Sequence, residues 1–175
     1  MTEKIRSFCF TLFLSLALPA SVGATNTEIV QAINKTCVPS EGMVLAGIRL
    51  GDPRTLVESR LGAATRQRKD DRTQILEYEG LRIRLHASRV QSVLATASKW
   101  STASGIRPGI AASDAGAALG FDLDSVESPH SKSPSHYQVH RCITAQEQMD
   151  VEQYLRLELS PDRMIVAVEI FWVAP

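Results

Sequence analysis

The chain has 175 residues, of which 19 are Lys or Arg and 19 are Asp or Glu, so its formal net charge is zero. That balance removes any whole-chain electrostatic argument for a nucleic-acid partner. Three cysteines, at positions 9, 37 and 142, are few enough that the compartment decides their role.

The first 24 residues carry Lys4 and Arg6, then an apolar run from Phe8 to Leu18, then Pro19 and small residues ending at Ala24. Charged, apolar and small segments in that order predict a secretory signal peptide over residues 1–24. The apolar run is well short of the roughly 20 residues a bilayer-crossing helix needs, so no transmembrane anchor is expected in the mature chain. Cys9 lies inside the run, where it cannot serve as a lipidated first residue. The expected location is the periplasm of a Gram-negative envelope, or outside the cell. In such an oxidising compartment the two remaining cysteines, Cys37 and Cys142, are expected to form a disulfide.

Residues 25–46 are read as an N-terminal helix, Thr27 to Ile33, and a linker through Cys37. Beyond them a 16-residue unit occurs twice, as GIRLGDPRTLVESRLG and GIRPGIAASDAGAALG, at an offset of 58 residues. Its shared positions include Gly47, Gly51 and Gly62 in the first copy and Gly105, Gly109 and Gly120 in the second. These are residue types that build turns rather than reaction centres. Asp52 and Pro53 predict a helix start, with the carboxylate as N-cap, and Gly62 a stop. In the second copy Ser113 or Asp114 is the expected cap.

After Gly62 the pattern has period two. Gln74, Leu76 and Tyr78 alternate with Ile75 and Glu77, and Leu81, Ile83 and Leu85 with Arg82 and Arg84, around turns at Glu79-Gly80 and Ala87-Ser88. This register pairs Tyr78 with Leu81, Leu76 with Ile83 and Leu85 with Val90 on an apolar face, and Glu77 with Arg82 on the other. The second copy repeats the pattern in Leu155, Leu157 and Leu159, a turn at Pro161-Asp162, and a strand from Met164 to Trp172 that is apolar on both faces and so expected deep in a sheet. The predicted fold class is α+β, with two tandem repeats over 47–104 and 105–175. Each is a short helical segment followed by an antiparallel meander of three to four strands, and the second holds a Ser/Pro/His-rich insertion at about 127–142.

The succession of Gly47, Gly51, Val57, Leu61, Gly62 and Tyr78, echoed by Gly105, Gly109, Ala115, Leu119, Gly120 and Tyr137, resembles the outer-membrane-assembly lipoproteins of the SmpA/OmlA (BamE) type. It is also similar to the tandem form of that fold in β-lactamase-inhibitor proteins. The resemblance implies a non-catalytic scaffold presenting sheet surface to another protein, an envelope component or a target enzyme. A lipidated cysteine, which the assembly lipoproteins carry, has no counterpart here.

Charge is unevenly distributed. Residues 47–104 hold 11 basic and 6 acidic side chains, and residues 105–175 hold 5 basic and 10 acidic. The basic strand face formed by Arg82, Arg84, His86 and Arg89 is the candidate protein-binding surface, set against the plain reading of a solvated sheet face. No nucleic acid is expected, because little aromatic content interleaves the arginines. The alternative function is metal or small-ligand binding by His130, His136 and His140 in the insertion, although their spacing matches no zinc signature. No cofactor is expected. Catalysis is not expected either, since there is no G-x-S-x-G elbow, no spare cysteine and no phosphate-cradling loop.

Overall fold

The computed structural model describes residues 36–123, 135–142 and 152–173. The segments expected as a signal peptide (1–24) and as an N-terminal helix (Thr27 to Ile33), and His130, lie outside the described residues. Chain order gives β1 (Cys37–Val38), a 3-10 turn (Ser40–Gly42), β2 (Val44–Leu45), β3 (Ile48–Arg49), α1 (Arg54–Leu61), β4 (Arg66–Asp70), β5 (Thr73–Tyr78), β6 (Leu81–His86) and β7 (Arg89–Ala95). It continues with α2 (Ala112–Leu119), β8 (His136–Arg141), β9 (Glu152–Leu159) and β10 (Ile165–Val173).

The expected arrangement of two α+β repeats is not what these strands build. Eight of them form one mixed sheet in the order β1-β8-β9-β10-β7-β6-β5-β4, and β2 and β3 make a separate two-stranded ribbon. Among the described residues only β1 and β8 run parallel. The halves merge where β10 pairs antiparallel with β7, Val168 opposite Ala95 and Ile170 opposite Val93. All four side chains are buried in one core, which also holds Leu76, Ile83 and Leu85 from the first half and Leu155 and Leu157 from the second. The physical reason is edge cost. Two separate meanders would leave β7 and β10 with unpaired backbone along apolar strands, and would divide the core into two parts each with poor surface-to-volume.

Within that sheet the local register is the one that alternation demands. Tyr78 pairs with Leu81, Leu76 with Ile83 and Glu77 with Arg82, while Leu85 pairs with Val90. The Ala87-Ser88 turn holds both residues at positive φ, +47° and +62°, the backbone twist that a two-residue hairpin favours. β4 has no apolar residue in its run of Arg66, Gln67, Arg68, Lys69 and Asp70, and all five are exposed. It therefore gave no apolar periodicity, and it exists through pairing with β5 at the sheet edge, where charge discourages further strand addition.

The matched segments share a backbone task without building separate units. Gly51 (φ +83°) donates its N–H to the Val90 carbonyl, and Gly109 (φ +91°) donates to the Ile165 carbonyl. Each segment thereby attaches to the strand closing its half. The left-handed backbone that this needs suits glycine, and the other four matched glycines also have positive φ.

Helix boundaries differ from expectation. Pro53 is the N-cap of α1, in extended conformation, and makes no side-chain cap. Asp52 instead accepts the Arg49 N–H at 2.9 Å and faces Arg60 at 3.4 Å, so its carboxylate closes the preceding turn. Ala111 is the N-cap of α2, which places Ser113 and Asp114 inside its first turn. Gly62 and Gly120 do terminate the two helices. Both helices lie on the core side of the sheet, through Val57 of α1 and Ala112 and Ala115 of α2. Among the described residues no helix covers the opposite face.

The end of the presumed insertion is also structural. Residues 136–141 form β8, between β1 and β9, with Tyr137 and Val139 buried opposite Leu157 and Leu155. Their period-two spacing was legible, but the surrounding Ser, Pro and His residues gave the stretch the composition of a surface loop.

Candidate functional site: the open sheet face

Side chains on a strand alternate between faces, so each non-core position falls on the uncovered side. There the register assembles two cross-strand rows. One runs Arg68, Ile75, Arg84, Ser92, Phe171, Tyr154, His140 and Cys37, one residue from each of the eight strands. The adjacent row runs Arg66, Glu77, Arg82, Leu94, Glu169, Arg156 and Gln138. Residues from both charge-opposed halves thus occupy one surface.

The two halves of this face satisfy their charges differently. In the second half Arg156 hydrogen-bonds Glu169 and lies over the Phe171 ring, 5.2 Å from its centroid. His136 faces Glu158 at 3.7 Å. Tyr154 is buried, stacks on Phe171 at 5.4 Å, meets the His140 ring at 4.5 Å and donates its hydroxyl proton to Glu152. Burial and that carboxylate hold the Tyr154 phenol well above its ordinary pKa.

The first half has cations in excess. Glu77 is approached by Arg68 at 3.5 Å, Arg82 at 3.8 Å and Arg66 at 3.9 Å. Arg84 and His86 are exposed and have no ion pair or hydrogen bond among the described residues. Three guanidiniums therefore surround one carboxylate. Of the nominated basic residues, Arg82, Arg84 and His86 share this surface, whereas Arg89 reaches back to donate to the Gly51 carbonyl at 3.0 Å and serves the turn. Arg66, Arg68, Leu94, Tyr154 and Phe171 were not singled out from sequence. The period-two arginines of RQRKD were the available signal for the first two, and the shared phase of Tyr154 with Arg156 and Glu158 was the signal for Tyr154; Phe171 lay in a strand apolar on both faces, where alternation does not distinguish core from surface.

At the far end of the face Cys37 and Cys142 are joined by a disulfide with Cα atoms 4.9 Å apart, spanning 105 positions. It ties β1 to β8 beside His140. A disulfide fits an exported chain. No helix among the described residues is long and apolar enough to cross a membrane.

The weaker metal candidates are partly placed. His136 and His140 project from the same face of β8, one toward Glu158 and the other onto Tyr154. Among the described residues no three His, Cys, Asp or Glu side chains converge as a metal would require. Ser135, His136 and Glu158 follow one another as nucleophile, base and acid would, with Ser135 Oγ 3.1 Å from His136 Nδ1. The 3.7 Å separation from Glu158 is beyond hydrogen-bond reach, so the carboxylate does not orient the imidazole.

Comparison with known proteins identifies no family. No protein-family model and no curated protein matches the chain. Among solved structures it is similar to an extracellular protein containing an SCP domain from Bacillus anthracis str. Ames, with TM-score 0.46 and 10% identity. The match covers 70% of this chain and 43% of that one, so this chain spans less than half of its neighbour's length. A likeness that loose carries no argument about fold or function.

The resemblance to BamE-type lipoproteins and β-lactamase-inhibitor proteins is accordingly not upheld. Its carriers were turn glycines and small aliphatics. Their observed task, attaching a tight turn to a strand end, is a general requirement of sheet packing and identifies no family.

Proposed function

We propose that this chain is an exported, non-catalytic protein-binding module, resident in the periplasm or outside the cell, that engages its partner through the open sheet face. The observation that carries this reading is the asymmetric pairing of charge on that face. Arg66, Arg68 and Arg82 surround the Glu77 carboxylate and Arg84 lies exposed in the adjacent row, next to a seam where Leu94 and Phe171 are only partly covered. Arginine and aromatic side chains at the centre of a broad surface are the composition of interface anchors. An open surface spread over several strands suits a macromolecule better than a small ligand, which favours an enclosed concavity.

Crosslinking from the native envelope, read by mass spectrometry, tests this. Arg82→Glu with Arg84→Glu is expected to weaken capture of the partner without changing the thermal midpoint. A charge placed at exposed Thr55 on α1, behind the sheet, is expected to leave capture intact. Full retention of binding by the double charge reversal removes the basic face from the function.

A further inference from the structure

The arginines around Glu77 line a shallow, open cleft in the sheet face. A depression of about 340 Å³ lies between β4, β5, β6 and the end of β7, with Arg66, Arg68 and Arg82 on its walls and Glu77, Leu94 and Thr96 among its lining. The Glu77 side chain is 19% exposed, while those of Arg66, Arg68 and Arg82 are 69%, 63% and 57% exposed. All three guanidiniums stand 3.5–3.9 Å from the carboxylate, beyond direct hydrogen-bond distance, and no other acceptor serves them among the described residues. Their donors are turned to one point and largely unspent.

We propose that this cleft is the anchor for an acidic side chain, Asp or Glu, of the protein partner, and that Glu77 is its resident competitor. The proposal rests on the protein-binding reading above and names the chemistry recognised. Guanidinium forks bind carboxylates bidentately, and three forks around one internal carboxylate leave two positive charges to be matched. Glu77 has a second effect: by holding the forks close together in the free protein, it limits their mutual repulsion and pre-orders them. Arg156 does not compete for the partner's carboxylate, because Glu169 already neutralises it one to one.

The full chain, with its disulfide intact, can be titrated against a short fluorescent Glu-rich peptide by anisotropy, with the Gln counterpart as control. The Glu peptide is expected to bind and the Gln peptide not to. Arg66→Gln with Arg82→Gln is expected to weaken binding by about tenfold, and Glu77→Gln to tighten it by about fivefold, because a competing charge leaves. The arginines are exposed, so the double variant provides a test even where Glu77→Gln is poorly folded. Equal binding by wild type and the arginine variant overturns the anchor, as does displacement of the peptide by equimolar inorganic phosphate, which marks a general anion site. Loss of peptide binding with native capture unchanged in the same variant also overturns the anchor, and leaves the protein-binding reading intact. That reading fails separately if crosslinking of the wild-type chain recovers no protein partner.

Discussion

Ile170 of β10 lies directly opposite Val93 of β7, and both side chains are fully buried. This contact joins the two halves into one sheet and one core. Ile170→Ala is expected to cost about 2–5 kcal/mol. Because the core is continuous, near- and far-ultraviolet circular dichroism should report the same lowered midpoint. Two separate transitions in denaturant would show that the halves fold independently.

The disulfide closes a span of 105 positions. Replacing both Cys37 and Cys142 by Ser is expected to lower stability by about 2–5 kcal/mol, mostly by releasing the unfolded chain. Hydrogen exchange should accelerate first in β1 and β8, which the bond holds in parallel contact. An unchanged denaturation midpoint would argue against this mechanism.

Gly80 has φ +68°, and a β-carbon there would meet the Ala97 β-carbon at 2.2 Å and the Ala97 backbone N at 3.1 Å. Gly80→Ala combines left-handed strain with a clash against backbone that cannot swing aside. A loss of about 2 kcal/mol or more is expected from the thermal midpoint. Gly47→Ala has the strain but open space around it, and should cost less.

Tyr154 supplies a pH dependence of definite sign. Its folded-state pKa is raised above the ordinary 10.0, chiefly by desolvation and then by the hydrogen bond to Glu152. Below pH 10 the phenol is neutral in both folded and unfolded chains, and its contribution is fully present. As pH rises further the unfolded chain ionises first, so stability falls. Urea midpoints measured across the alkaline range should decline more steeply in the wild type than in Tyr154→Phe; parallel curves would show that the residue is not responsible.

Much of the local structure was legible in the sequence because it depends on neighbouring residues. Alternating apolar side chains specified the β5–β6–β7 register, including the Glu77–Arg82 pairing, and Gly62 and Gly120 marked helix ends. The matched glycines signalled tight turns. The pairing of Cys37 with Cys142 followed from reading the chain as exported, with Cys9 inside the expected signal segment. β4 was not legible, since an edge strand made of charge has no apolar phase.

Tertiary structure decided the rest. Period two assigns side chains to faces but does not say which strand lies beside which, so the sequence pattern was compatible with two separate repeats as well as one sheet. Pairing β7 with β10 removed two exposed edges and united the core, and nothing local to either strand encodes that choice. The same pairing created the candidate site: Arg82 and Glu169 flank Leu94 in one cross-strand row although 87 positions separate them in the chain. Likewise, the sequence shows how many arginines the first half carries. Only the folded sheet turns three of them on one carboxylate, because their meeting point depends on which strands pair and in what register.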